Sequence, residues 1–256
     1  MTAVEAQATL RTATRVCPGW GGLVAATQER VNPPRHLNFV GQGNFEATGD
    51  EFLRYFIDCG GLKPGDQVLE IGSGIGRMAR PLTKYLSSGN YHGIDIVPKG
   101  IGWGERNISS RYPRLHFHLA DIHNLAYNPG GRLKPVEYRF PFKGNPFDFA
   151  LLTSVFSHMI TADMKHYLDP TALCLRPDGK CLITFFLLNR ESRQLTSEGK
   201  SPLTFQFRRD GCYVNDDLVP EFAVAYSEDD VRLLFHEAGS KWTRCTMVPG
   251  AGAQIL

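Results

Sequence analysis

The chain has no apolar stretch long enough to cross a bilayer. Its longest largely apolar run is Cys181–Leu188, well short of the roughly 20 residues a spanning helix needs. The first residues carry Glu5 and Arg11 among small polar side chains and no apolar h-region, so no signal peptide is expected. Charge of one sign is scarce: 28 Lys and Arg against 26 Asp and Glu leave a formal net charge of +2. So small an excess gives no reason to expect nucleic acid or an anionic membrane as partner. Cysteines occur at 17, 59, 174, 181, 212 and 245 without a Cys-x-x-Cys pair. That spacing fits neither a zinc site nor a disulfide framework, and a reducing, cytoplasmic setting is the expectation. Cys174 and Cys181 lie in apolar surroundings and read as core thiols. There is no internal repeat. The 256 residues, 42% of them hydrophobic, suit one soluble globular domain with an elaboration.

Residues 67–77, Gln-Val-Leu-Glu-Ile-Gly-Ser-Gly-Ile-Gly-Arg, are the most informative part of what is there. A short apolar run ends in an acid, and glycines 72, 74 and 76 alternate before a helix-like segment. Such glycines let a buried strand turn sharply and let backbone approach a ligand where side chains would obstruct it. The turn alone is shared with dinucleotide-binding proteins.

Around it runs a regular alternation. Residues 1–44 are rich in Ala, Thr, Gly and Pro, and read as an N-terminal extension and candidate lid before a domain over 45–256. Thr48 to Asp58 is predicted helical, with Phe52, Tyr55 and Phe56 on one face, ending at Gly60-Gly61. Strands are expected at Val68–Ile71, Tyr91–Ile96, Leu115–Ala120, Phe147–Thr153 and Lys180–Leu188. Helices are expected at Arg77–Leu86, 99–110 and Ala162–Cys174, with a turn at Pro177-Asp178-Gly179. This order gives an α/β fold: a doubly wound, mostly parallel sheet, covered on both faces and binding ligands at the carboxyl ends of its strands. Residues 122–146 form a long polar-aromatic loop over that end. Residues 189–226 are an insertion. Leu203–Phe207 and Phe222–Tyr226 alternate like strands around Arg208-Arg209-Asp210-Gly211, suggesting an inserted hairpin or small antiparallel cap. A helix over Ser227–Ala238 opens on Glu228, Asp229 and Asp230, matched to the helix dipole. Trp242–Val248 is a candidate sixth strand.

Three acids end three successive strands. Asp95 follows the glycine turn at the distance that puts an acid beside a ribose, where a carboxylate can accept from both hydroxyls. Ile96 can pack on an adenine face. Asp121 can accept from an adenine amino group, with the Ile122 amide on the ring nitrogen. Glu70 ends the first strand.

This pattern resembles the class I S-adenosylmethionine-dependent methyltransferases, in the order Glu70-Ile-Gly72-Ser-Gly74-Ile-Gly76-Arg77, Gly93-Ile-Asp95-Ile96, Leu119-Ala-Asp121-Ile122, Phe147–Val155 and Leu175–Ile183. It covers residues 45–188 well and 227–248 loosely. The resemblance implies a Rossmann-like methyltransferase fold, S-adenosylmethionine as cofactor, and a set of site residues. Glu70 would lie near the methionine amino group, Gly72, Ser73 and Gly74 under the cofactor, Asp95 and Ile96 at the ribose and adenine, Asp121 and Ile122 at adenine, and Thr153 or Ser154 by the methionine and the reaction centre. The family closes its sheet with an antiparallel last strand. Only Pro249–Leu256, rich in Gly and Ala, remains to form it, so that strand is expected to be very short, supplied differently, or absent. An unfilled sheet edge would leave a homodimer open.

His158, in Ser154-Val-Phe-Ser-His158-Met, follows the fourth strand where an acceptor should sit, and is the candidate general base. A histidine satisfied by a neighbouring loop is the duller alternative. His123 is a weaker candidate. His116 and His118 alternate on the third strand, where metal binding is a remote reading. Trp103, Tyr127, Tyr138, Phe140 and Phe142 are candidate pocket aromatics. Arg190, Arg193, Lys200, Arg208 and Arg209 form either a solvated face or a site for an anionic acceptor.

The leading expectation is a small-molecule methyltransferase directed to a hydroxyl of a sugar or secondary metabolite. The rivals are an N- or C-directed methyltransferase, a non-catalytic cofactor-binding subunit, and an NAD-dependent oxidoreductase. The last predicts Gly-x-Gly-x-x-Gly and a Tyr-x-x-x-Lys pair, neither of which appears. No Asn/Asp-Pro-Pro-aromatic run follows the fourth strand, which argues against amino-methylation of DNA bases or glutamine.

Overall fold

A computed structural model of the protein describes residues 31–41, 43–144, 146–237, 243–248 and 251–255. Apolar runs of four to six residues become strands, and the amphipathic segments between them become helices. The first helix, α1 (Phe45–Asp58), begins three residues earlier than the periodicity suggests. Asn44 caps it, its side chain accepting from the Ala47 amide at 2.9 Å. Then follow β1 (Val68–Ile71), α2 (Ala79–Tyr85), β2 (Tyr91–Asp95), α3 (Pro98–Gly104, extended by a π turn over Glu105–Ser109), β3 (Leu115–Leu119), β4 (Phe147–Leu152), α4 (Thr161–Cys174) and β5 (Leu175–Leu188). Pro81 sits in the first turn of α2, where a missing amide costs little.

The strands lie in the order β3-β2-β1-β4-β5, all parallel. The chain runs outward from β1 through β2 to β3, then crosses to β4 on the other side of β1. That reversal makes the crevice at the carboxyl ends of β1 and β4 the natural ligand position. Both sheet faces are covered. Phe149 and Leu151 of β4 join Phe56, Leu82 and Tyr91 in one core, while Ala150 and Leu152 join Phe156, Tyr167 and Phe185 in the other. Strands buried on both faces are continuous apolar runs for this reason.

Four differences from the sequence reading have physical causes. First, β5 begins at Leu175: Pro177-Asp178-Gly179 forms an irregularity inside the strand rather than a turn before it, with Asp178 at φ +64°. Second, the insertion starts with an unpredicted helix, α5 (Arg190–Ser197), capped reciprocally by Asn189 and Ser192. Third, the hairpin pairs β6 (Phe207–Arg209) with β7 (Cys212–Val214) across Asp210-Gly211, both at positive φ. The run at 222–226 contributes instead to β8 (Val224–Ser227), antiparallel to β7 and parallel to β5. The insertion is therefore an extension of the main sheet.

Fourth, the closing strand exists. After α6 (Glu228–Glu237) and β9 (Thr243–Val248), β10 (Ala251–Ile255) runs antiparallel to both β5 and β9. The backbone of β5 supplies the pairing that Gly and Ala side chains do not, so the edge beside β5 is filled. Cys174, Cys181 and Cys212 are free and buried, whereas Cys59 is disulfide-bonded, a pairing the cysteine spacing did not suggest. Among the described residues no helix is long and apolar enough to cross a membrane.

Candidate active site

At the end of β1 the chain turns under bare backbone. Gly72 and Gly74 stand at φ +79° and +57°, in the region open chiefly to glycine. A Cβ on Gly72 would lie 2.5 Å from Val155 Cγ2, and one on Gly74 would lie 2.4 Å from Val40 Cγ1. Val40 of the N-terminal extension therefore packs directly on the turn. Phe39 reaches Gly100 at the start of α3, and Lys99 Nζ sits 5.1 Å from the centre of the Phe39 ring. The amides of Gly72 and Ser73 both donate to the Ile94 carbonyl, at 2.8 and 3.0 Å, which ties the turn to the end of β2.

Asp95 ends β2 and holds the turn from the other side. Its Oδ2 accepts from the Gly74 amide at 2.7 Å and its Oδ1 from the Val97 amide at 2.8 Å. Burial pushes its pKa above the usual carboxylate range, and the amides of Val97, Gly74 and Ile96 pull against that. Each oxygen keeps a lone pair for a further donor. Ile96 is half-buried beside it.

Glu70 is almost wholly enclosed, at 1% exposure. The Tyr91 hydroxyl donates to its Oε2 at 2.5 Å. Burial pushes the Glu70 pKa up to about 8. The Tyr91 hydrogen bond opposes the rise, the Asp95 charge adds to it, and Arg77 and Thr153 oppose it further. Thr153, also buried, lies at the end of β4. The next residue, Ser154, is exposed and has φ +58°, a conformation that costs a non-glycine residue roughly 1–2 kcal/mol. Its amide donates to Thr184 Oγ1 at 2.7 Å, which holds the outlier in place. Backbone outliers of this kind concentrate where ligands bind.

Asp121 lies one residue past Ala120, at the mouth of the long loop. It is ion-paired to the exposed Arg132, which pulls its pKa down. Ile122 is buried, and its amide donates to the Ala120 carbonyl at 2.8 Å. Both groups assigned to adenine thus already have protein partners, and an adenine contact requires them to be shared or exchanged.

His158 closes the short turn after β4. Its Nδ1 lies 2.9 Å from the Glu221 carbonyl, so Nδ1–H is the donor and Nε2 remains an acceptor. Burial lowers its pKa, opposed by the carbonyls of Glu221 and Phe222, which keeps the ring neutral. The Tyr127 ring meets it edge-on, with centroids 5.5 Å apart. Burial, and after it the Asp95 charge, raise the Tyr127 pKa.

Of the proposed pocket aromatics, only Tyr127 is in ring contact with His158. Trp103 is buried in the core on the α1–α3 side, Tyr138 and Phe140 pack toward Tyr167, and Phe142 packs on His92, His118 and Phe147. His123 is exposed. His116 and His118 stack with His92, and among the described residues no three His, Cys, Asp or Glu side chains are placed to hold a metal ion. The basic insertion is largely self-paired: Arg209 with Asp217, Lys200 with Glu198, and Arg193 and Arg208 over the Tyr213 ring. Sequence reasoning missed the Val40 contact and the Glu221 carbonyl, because both are long-range and neither has a local signal.

The residues fit an adenosyl amino acid carrying cationic groups. The Cβ positions at Gly72 and Gly74 are taken up by Val155 and Val40, so the fit rests on the acids: neither of the buried Glu70 and Asp95 has an ion-pair partner among the described residues.

Comparison with known proteins agrees. A family model described as a methyltransferase domain matches residues 44–242. Phosphoethanolamine N-methyltransferase 2 of Caenorhabditis elegans is 27% identical over 151 residues, which is 59% of this chain and 30% of that protein. The chain therefore spans less than a third of the length of that curated relative. Among solved structures, a protein of Pyrococcus horikoshii OT3 superposes with TM-score 0.59 at 13% identity, covering 90% of this chain and 98% of the other. Magnesium protoporphyrin IX methyltransferase of Synechocystis PCC 6803, solved with bound S-adenosylhomocysteine, gives TM-score 0.53 at 16% identity, covering 86% and 90%. The match spans the glycine turn, all three strand-end acids and His158. The chain belongs to the methyltransferase-domain family, in the class I fold that works with S-adenosylmethionine.

Proposed function

We propose that the protein methylates a small molecule, at a hydroxyl of a sugar or secondary metabolite, with His158 as general base. The observation that carries this reading is the bond between His158 Nδ1 and the Glu221 carbonyl. It commits one ring nitrogen as donor and leaves the other to accept a proton.

S-adenosylmethionine supplies an electrophilic methyl group on a sulfonium. The chain's own residues do the rest. Gly72, Ser73 and Gly74 offer backbone under the cofactor, Glu70 and Thr153 lie at its amino-acid end, and Asp95, Ile96, Asp121 and Ile122 lie at its ribose and base. Residues 31–41, whose Val40 packs on the turn, act as a lid; residues 1–30 of the extension lie outside the described residues. Tyr127 shields the space beside His158 from water. Holding an acceptor in line with the methyl can supply roughly 7–11 kcal/mol. His158 Nε2 takes the acceptor's proton as the new bond forms, a contribution typically of about 10²–10⁴-fold.

One observation favours a second reading, transfer to nitrogen: the curated relative is an N-methyltransferase. An ammonium acceptor must also lose a proton, so the same base would serve. The test is incubation with methyl-labelled cofactor and separate pools of hydroxyl- and amine-bearing metabolites. Label on oxygen, lost about 10²–10⁴-fold in His158→Gln with cofactor affinity kept, supports the hydroxyl reading. Label on nitrogen replaces it with the second, and no label from any pool favours a non-catalytic subunit. A soluble protein without nucleic-acid or membrane partners belongs to this reading; the cytoplasmic setting stays a proposal against which the Cys59 disulfide counts, and light scattering tests the homodimer.

A further inference from the structure

Beneath the glycine turn lies a closed group of polar side chains without an ion pair. Tyr91 is fully buried, and Gly93 makes room for it: a Cβ there would stand 2.5 Å from the Tyr91 hydroxyl oxygen and 2.8 Å from Ser73 Cβ. The hydroxyl is thereby set at 2.5 Å from Glu70 Oε2. The Ser73 hydroxyl beside it is buried with no hydrogen-bond partner. The titratable or charged groups around Glu70 are Tyr91 and Asp95 of β2 and Arg77 beyond the turn, with the Thr153 hydroxyl at the end of β4. Arg77 forms no ion pair with either acid among the described residues.

Two carboxyls enclosed together cannot both carry full charge cheaply. Their surroundings divide the roles. Asp95 accepts from two backbone amides, which favour its ionised form, whereas Glu70 has only side-chain hydroxyls, those of Tyr91 and Thr153, to favour its own. Glu70 is therefore the member that keeps its proton near neutral pH, in keeping with a pKa pushed up to about 8, chiefly by burial.

We propose that Glu70 and Tyr91 form a proton-holding pair under the cofactor site, and that arrival of the cofactor's ammonium group expels the Glu70 proton to solvent. This rests on the reading that S-adenosylmethionine binds over this turn. The step balances simply. The carboxyl O–H bond breaks, its electron pair stays on Glu70, the proton goes to buffer, and nothing is oxidised. The ammonium, directly or through one water, becomes the counter-charge that the free protein lacks. Tyr91 is a positioning residue: it holds the carboxyl oxygen and favours the ionised form once the ligand is present.

The sign follows from linkage. A ligand that releases a proton binds more tightly as pH rises toward the pKa of the free protein, then levels off. Affinity for S-adenosylhomocysteine, which carries the same ammonium, should climb by up to about tenfold per pH unit below a level reached near pH 8.

The experiment is calorimetric titration of the whole chain with S-adenosylhomocysteine at pH 7 in phosphate and in Tris, repeated from pH 6 to pH 9. The wild type should release close to one proton. E70Q should release none and show a flat pH profile. Y91F removes a bond that favours the carboxylate, so its levelling point should move to higher pH. Binding without proton release in the wild type overturns the proposal and leaves the cofactor reading intact. No binding at all overturns both. Undiminished release in E70Q overturns the assignment to Glu70, and an unmoved levelling point in Y91F overturns the role of Tyr91. If E70Q does not fold, the wild-type buffer comparison decides alone.

Discussion

Below the cofactor crevice the protein is built of backbone and buried acids; above it, of exposed loop and ring edges. The lower part comprises Gly72–Gly74, Glu70, Asp95 and Thr153, all within a few residues of parallel strand ends and all but sealed from water. The upper part comprises Tyr127 on a 25-residue loop, His158 on a short turn and the Glu221 carbonyl from the insertion, brought together across 94 residues of chain. The difference separates two tasks. On the proposed function, a floor of fixed dipoles and enclosed carboxyls would recognise one invariant donor and tolerate almost no change. A roof of side chains on loops can be altered to suit one acceptor or another without disturbing the donor.

If that division is real, substitutions below and above should separate cleanly. The largest effect is expected for Gly74→Val. It forces a branched side chain into positive φ and against Val40, so cofactor affinity should fall more than about 100-fold and the thermal midpoint by several degrees. Calorimetry and a melting curve check both, and near-normal binding would break the comparison. Next comes Asp95→Ala, which removes a charged acceptor of about 1.5–3 kcal/mol and frees the turn. Cofactor affinity should drop roughly 10- to 150-fold. Unchanged affinity would mean the ribose lies elsewhere. Tyr127→Ala, above, should leave cofactor affinity within about twofold while weakening kcat/KM for the acceptor by roughly 2- to 12-fold, the worth of one aromatic contact. A large loss of cofactor binding there would erase the distinction.

The smallest effect concerns the loop's anchorage. Phe142 packs on the stacked His92 and His118, and burial, with the neighbouring His116 and His118, lowers the His92 pKa to about 4. The unfolded chain binds this proton at about 6.5, so stability should fall as pH drops from about 6.5 to about 4. Melting curves of wild type and His92→Gln over that window test this: the variant should show the shallower slope.

The same division governs how much could be read from the sequence. Val68–Ile71, Tyr91–Asp95 and Phe147–Leu152 announce themselves because strands covered on both faces are mostly apolar, and the acids and glycines in and after them are local in sequence. Where the reading failed, the determinant was tertiary. Ala251–Ile255 has a single strong β-former, Ile255, and becomes a strand because β5 offers it a ladder. The helix Arg190–Ser197 has no apolar stripe, and only the Asn189 and Ser192 cap betrays it. Pro177-Asp178-Gly179 carries every mark of a turn and is absorbed as an irregularity in β5. The Asp210-Gly211 turn was legible, but its partner strand was not, because short exposed strands such as Phe207–Arg209 bury nothing that would fix their register. In the site, Tyr127 could be listed among aromatics but not singled out, since its contact with His158 spans 31 positions of chain.

The central claim is that an adenosyl cofactor lies over the carboxyl ends of β1 and β2, on the backbone of Gly72 and Gly74 and beside the carboxylate of Asp95. A crystal structure of the protein with S-adenosylhomocysteine tests it directly. The account predicts the ribose hydroxyls within hydrogen-bond distance of Asp95 and the amino-acid end near Glu70 and Thr153. Ligand density at any other place on the molecule, with this crevice vacant, would contradict it.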